Sequence, residues 1–167
     1  PDETFPIETI VENAKLDRFL LKIRLGYPDK DEEIRILKRF QESDPFQQLN
    51  AVATPDDITK LQQARRGIHV SEPIREYIAD IVRATRDHPV IRFGASPRGS
   101  LALMRAGQAR AALRGREFIL PDDIKFLARP VLAHRLILSE EERLRGENSD
   151  RTIDELIGQL PVPTAAG

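Results

Sequence analysis

Cysteine is absent from the 167 residues, which excludes disulfides, thiolate metal sites and cysteine nucleophiles. The absence suits a reducing cytosol, and a cytoplasmic location is expected. No apolar run approaches the ~20 residues that a membrane-spanning helix needs. Charge of one sign is not in excess either. Charged residues make up 32% of the chain, yet the net charge is −1, so no whole-chain field draws it to nucleic acid or to an anionic membrane. No glycine is followed by lysine, so there is no phosphate-cradling Gly-Lys-Ser/Thr loop. No Gly-x-Ser-x-Gly occurs, which removes a nucleophile elbow. His69, His88 and His134 are far apart and lack metal-ligand spacing, so no metal site is expected. Asp56, Asp57, Asp122 and Asp123 stand in the first turns of expected helices, where they complement the helix dipole. By itself the chain has no visible catalytic centre.

What is present is enough apolar sequence, 40%, to bury a core as one domain or as one domain with an appendage. The chain begins at Pro1 without a methionine, within sequence that reads as structured, and the expectation is a segment of a longer protein. Residues 19–25 alternate from Leu21 onward, with Leu21, Ile23 and Leu25 set against Lys22 and Arg24. This predicts a strand, ended by Gly26-Tyr27-Pro28. A lone strand needs a sheet to satisfy its backbone groups, and the rest of the chain offers none.

After Pro28 the pattern is mainly helical. A helix is predicted from 29 or 30 to about 42, with Ile34, Leu37 and Phe40 near helical spacing. Thr54-Pro55-Asp56-Asp57 starts another, expected to bury Ile58 and Leu61 and to end near Gly67. Ser71 is read as the cap of the next, whose stripe is Ile74, Tyr77, Ile78, Ile81, Val82 and Thr85. A helix from Ser96 runs to about Gly115. An extended piece at 117–120 leads to a helix from Pro121 to about Arg135, broken or kinked at Pro130. Residues 140–150 are charged and expected to be exposed, and 152–160 form a last helix.

The most informative stretch is Gly94-Ala95-Ser96-Pro97-Arg98-Gly99. Ser96 is a good N-cap and Pro97 suits the first helical position. Arg98 then falls where the helix dipole makes a cation unwelcome, by roughly 0.3–1 kcal/mol. A helix N-terminus is also a natural seat for an anion. Two readings follow for Arg98: it faces a phosphate, or it is a solvated surface arginine. Arg18, at the lip of the predicted strand, either projects toward a neighbouring molecule or is a surface charge beside Asp17, and alone the second reading is favoured. Arg98, Arg105, Arg110 and Arg114 do not share one helical face, which ranks groove binding low.

Leu16-Asp17-Arg18-Phe19, the run after it, Gly26-Tyr27-Pro28 and Gly94-Ala95-Ser96-Pro97-Arg98-Gly99, in this order, resemble the end of a MoxR-family AAA+ ATPase, over residues 1 to about 138. The lead-in Glu12-Asn13-Ala14-Lys15 departs from the family's usual Pro-Glu-Ala-Gln by one extra residue. The resemblance implies a mainly α fold: a helical-bundle lid preceded by a short, one-strand remnant of an α/β P-loop core. It places 1–28 at the end of that core, 29–160 in the lid and 161–167 in a flexible tail. It implies that Arg18 is the arginine finger reaching the γ-phosphate of the adjacent subunit. Arg98 is then the sensor-2 arginine, with Ser96 and Pro97 beside it at the nucleotide. The full-length protein is expected to hydrolyse ATP with Mg2+, while this chain alone, lacking the phosphate loop, is expected to be inactive and to bind no nucleotide tightly. The implied assembly is a ring of identical subunits, expected to be a hexamer, that remodels or matures partner complexes in a chaperone-like way, with a von Willebrand factor A-type protein as partner. No nucleic acid and no membrane span are expected. The rival classes are a non-enzymatic helical protein-interaction module and, third, a nucleic-acid adaptor.

Overall fold

The computed structural model describes residues 15–163. Residues 1–14 of the expected core remnant and 164–167 of the expected tail lie outside the described residues. The chain divides into two compact units. One joins Pro1–Lys22 to Ala64–Gly167, and the other is Ile23–Gln63.

In the smaller unit, α1 (Lys30–Glu42) opens with a reciprocal capping box between Asp29 and Glu32. A 3-10 turn follows at Pro45–Gln48. Helix α2 (Pro55–Arg66) starts where Thr54 and Asp57 cap each other, and its last residues count with the larger unit. Neither helix buries a residue. The expectation that Ile58 and Leu61 are buried is therefore overturned: both are exposed, as are Ile34, Leu37 and Phe40. The apolar faces are present, but nothing among the described residues of this unit covers them.

The larger unit holds the core. In α3 (Glu72–Asp87) all six residues of the expected stripe, from Ile74 to Thr85, are buried. Strand β1 (Ile91–Phe93) pairs antiparallel with β2 (Ile137–Leu138), Ile91 opposite Leu138 and Phe93 opposite Ile137. Helix α4 (Pro97–Leu113) buries small residues, among them Ala102, Ala106 and Ala111, and packs against α5 (Pro121–Leu132). Pro130 does not end α5. The helix gives way three residues later to a 3-10 turn at Ala133–Arg135. The extended piece at 117–120 forms a parallel bridge, in which the His69 N–H donates to the Glu117 carbonyl at 2.7 Å and the Ile119 N–H to the His69 carbonyl at 3.2 Å. Helix α6 is Glu140–Leu144, with no buried residue. Helix α7 (Ser149–Gln159) begins at an Asn148 cap, earlier than its apolar pattern suggests, and buries Ile153 and Leu156.

The strand predicted at 19–25 does not form. Residues 21–29 carry no regular secondary structure, and Phe19, Leu20, Ile23 and Leu25 are exposed. A strand is held by a neighbour's hydrogen bonds, and the described residues supply none. The Lys22 N–H instead donates to the Pro130 carbonyl at 2.8 Å, and Leu21 packs against the core. Among the described residues the strands lie elsewhere, in β1 and β2. The mainly helical architecture is as expected.

Candidate functional site

The site is built from the turn between β1 and α4. A Cβ at Gly94 would lie 2.6 Å from the Thr85 carbonyl oxygen and 2.7 Å from the Arg86 nitrogen, so only glycine lets this turn press against the end of α3. The Ala95 N–H donates to Thr85 Oγ1 at 2.9 Å, and that hydroxyl donates to the Val82 carbonyl at 2.6 Å. Thr85, buried within the stripe, is thereby satisfied on both sides. Arg86 Nε donates to the Ala95 carbonyl at 2.9 Å. The approach to α4 is fixed before the helix begins.

Ser96 then caps α4, its Oγ accepting from the Arg98 N–H at 3.2 Å, with Pro97 in the first turn as expected. The Ser96 hydroxyl also donates to Asp17 Oδ2 at 3.2 Å. Arg98 is held far more loosely. Its Nη1 lies 3.7 Å from Asp17 Oδ2, and its side chain is 66% exposed while that of Asp17 is 19% exposed. Arg18 follows Asp17 in a tight turn, in which the Arg18 N–H donates to the Lys15 carbonyl at 3.3 Å and the Phe19 N–H to the Leu16 carbonyl at 3.0 Å. The Arg18 side chain is exposed. Asp17 is thus the neighbour of Arg18 in sequence and the counter-charge of Arg98 in space.

The residue that holds Asp17 is Arg135, which the sequence reading missed. Its side chain is 2% exposed. Its Nε donates to the Val131 carbonyl at 2.7 Å, and its Nη1 donates to the Asp17 carbonyl and to Asp17 Oδ1, the latter at 2.7 Å. Its Nη2 donates to the carbonyls of Phe19, at 2.6 Å, and Leu20, at 3.3 Å. His134 Nε2 lies 3.3 Å from the same Phe19 carbonyl oxygen. Burial, reinforced by the charges of Arg135 and Lys22, holds His134 below the ordinary histidine value despite that carbonyl. The signal that could have found this pair is the run Val131–Leu138: a histidine and an arginine inside an otherwise apolar stretch must be paired when buried.

Two other arginines of the α4 region are taken up by structure. Arg116 grips Asp123 with both terminal nitrogens, at 2.7 and 2.8 Å, and Arg110 Nε donates to it at 3.1 Å while lying over the Phe126 ring. Burial pushes the Asp123 carboxyl up, but the Arg116 fork, the Leu120 N–H and Arg110 outweigh it and hold it below the ordinary carboxylate value. Asp123 thus does more than the first-turn role the sequence suggests. Among the described residues no cluster of three or more histidines and carboxylates could hold a metal ion, and no helix is long and apolar enough to cross a membrane.

The chain is similar to known proteins over most of its length. The family model of the AAA lid domain matches residues 83–156, which include Ser96, Arg98 and Arg135. The uncharacterized protein YeaC of Bacillus subtilis is 39% identical over 160 residues, covering 96% of this chain and 49% of its own length. The chaperone MoxR1 of Mycobacterium tuberculosis is 30% identical, over 90% of this chain and 42% of its own. The protein MoxR of Paracoccus denitrificans is 31% identical, over 98% and 53%. A crystal structure from Cytophaga hutchinsonii, provisionally named an ATPase, superposes with a TM-score of 0.83 at 28% identity, covering 96% of this chain and 50% of that one. The chain spans about half the length of the relatives it matches.

Proposed function

Because this chain belongs to the MoxR family of AAA+ ATPases and carries the helical lid, we propose that it is the nucleotide-sensing portion of an ATP-hydrolysing, ring-forming machine. In this reading Arg98 contacts the nucleotide held by its own subunit, and Ser96 and Pro97 fix the helix start that presents it. Arg18 reaches the γ-phosphate bound by the adjacent subunit. Residues 1–28 are the end of the nucleotide-binding core, 29–160 the lid and 161–167 a tail.

The observation that carries the reading is the state of Arg98. A cation in the first turn of α4 opposes the helix dipole, and its own side chain is exposed, with the Asp17 carboxylate 3.7 Å away, a contact worth little. The same helix start suits a phosphate, and a guanidinium can fork two phosphate oxygens while staying charged at any working pH. The residues present therefore fit a triphosphate contact. ATP, when bound, supplies the transferable phosphoryl group. This chain supplies charge beside it: Arg98 orients the bound phosphates, and Arg18 stabilises charge developing across the subunit boundary. Mg2+ is also expected in the full-length protein, but the described residues offer it no ligand cluster, so no residue here is assigned to it.

The work done with that energy is chaperone-like remodelling of partner complexes, a reading supported by the name of the Mycobacterium tuberculosis relative. A hexameric ring, a von Willebrand factor A-type partner and a cytoplasmic location complete the proposal. The test is direct: the full-length protein should bind and steadily hydrolyse ATP as a ring. Absence of both binding and turnover would instead favour a helical protein-interaction module.

A further inference from the structure

Arg135 is buried at the end of α5 and its 3-10 extension, yet most of its hydrogen bonds go to a segment more than a hundred residues away in sequence. Nε is spent on the helix itself, at the Val131 carbonyl. The two terminal nitrogens serve the carbonyls of Asp17, Phe19 and Leu20 and the Asp17 carboxylate. Three of these four acceptors are main-chain, so the grip fixes the path of the backbone on either side of Arg18 whatever side chains the segment carries. His134 adds a contact to the Phe19 carbonyl. Leu132 and Arg135 also line Gly99: a Cβ there would lie 3.1 Å from Leu132 Cδ2 and 3.8 Å from Arg135 Cδ. The first turn of α4, which presents Arg98, therefore sits directly against the stem of the same arginine.

We propose that Arg135 is a positioning residue, a buried clamp that ties the Arg18 segment to the helical body carrying Arg98. The proposal rests on the assignment of Arg18 as a trans-acting finger. Its consequence is that the two nucleotide-facing arginines of one subunit move together: a shift of α4 at one subunit's nucleotide carries Arg18 with it at the next. A fork is needed for this. A lysine ammonium gathers its donors on one nitrogen and cannot reproduce the spaced donors of the fork.

The experiment uses the full-length ring. Arg135→Lys should lower kcat for ATP about tenfold or more, since misplacing a reacting group by ~1 Å can cost ~10²-fold, while KM stays within about twofold. Combined with Arg18→Ala it should cost nothing further, because the clamp acts through Arg18. Hydrogen exchange provides a readout independent of turnover. The Phe19 and Lys22 amides, bonded to the Leu16 and Pro130 carbonyls, should lose protection, while amides within α4 and α5 keep theirs. Should Arg135→Lys prevent assembly, Asp17→Asn, which keeps an acceptor for the Arg135 fork but removes the paired charge, should raise exchange at the same two amides to a smaller extent. Unchanged exchange and kcat in Arg135→Lys, a loss that adds to that of Arg18→Ala, or an effect on KM alone would overturn the clamp. Full activity of Arg18→Ala by itself would overturn the finger assignment instead.

Discussion

Replacing Arg98 with alanine in the full-length protein is expected to cut ATP turnover about 10²-fold, the scale of losing one preorganised donor to developing charge, and to leave the melting midpoint unchanged or slightly higher. The two halves of this expectation have separate causes. Turnover falls because the guanidinium is the group that the α4 start offers to a phosphate. Stability does not fall because the side chain contributes almost nothing to the fold. It is 66% exposed, and its ion pair with Asp17 is 3.7 Å long. A contact of that kind is worth ~0–1 kcal/mol, and removing a cation from the first helical turn returns ~0.3–1 kcal/mol. Arg98→Lys should fall between the two, keeping the charge and losing the fork. Steady-state hydrolysis and thermal unfolding on the same preparations of the wild type and both variants check these expectations. Unchanged turnover in Arg98→Ala would return Arg98 to the class of solvated surface arginines.

Arg18→Ala should have the larger effect, a loss of about 10³-fold or more, as for arginine fingers elsewhere, and it should appear only where rings assemble. The side chain is exposed on a turn whose hydrogen bonds are main-chain, so its removal leaves the fold intact. The distinctive signature lies in mixing. Each variant subunit doped into wild-type rings should silence the site of its neighbour, so that activity falls more steeply than the wild-type fraction when the site's neighbours depend on one another. A pure variant as active as the wild type would remove the finger, and wild-type activity untouched by the dose of variant subunits would remove the trans role.

Much of the larger unit could be read from the residues. The stripe of α3 is buried in full because its 3.6-residue period matched a face that the core could accept. The start of α4 formed as its cap and proline dictate, since capping is decided within one turn. What local pattern could not reveal was whether an apolar face finds a partner. Ile58 and Leu61 have helical spacing yet lie exposed, and the alternating run at 19–25 lacks the sheet that would make it a strand. The site divides the same way. Arg98 was visible from its awkward place in a helix start. Asp17 and Arg135, separated by 118 residues, meet only in three dimensions, and Asp17 entered the sequence reading only as the neighbour of Arg18. Arg135 left one trace, a cation within an apolar run, whose meaning depended on a partner that spacing could not name.

The most direct measurement is a structure of the assembled full-length ring with a non-hydrolysable ATP analogue. Arg98 should lie within about 3 Å of a phosphate oxygen of its own subunit's nucleotide, and Arg18 within the same distance of the γ-phosphate held next door, as charge-assisted hydrogen bonds require. Both side chains turned to solvent or to protein, with the nucleotide in place, would contradict the assignment.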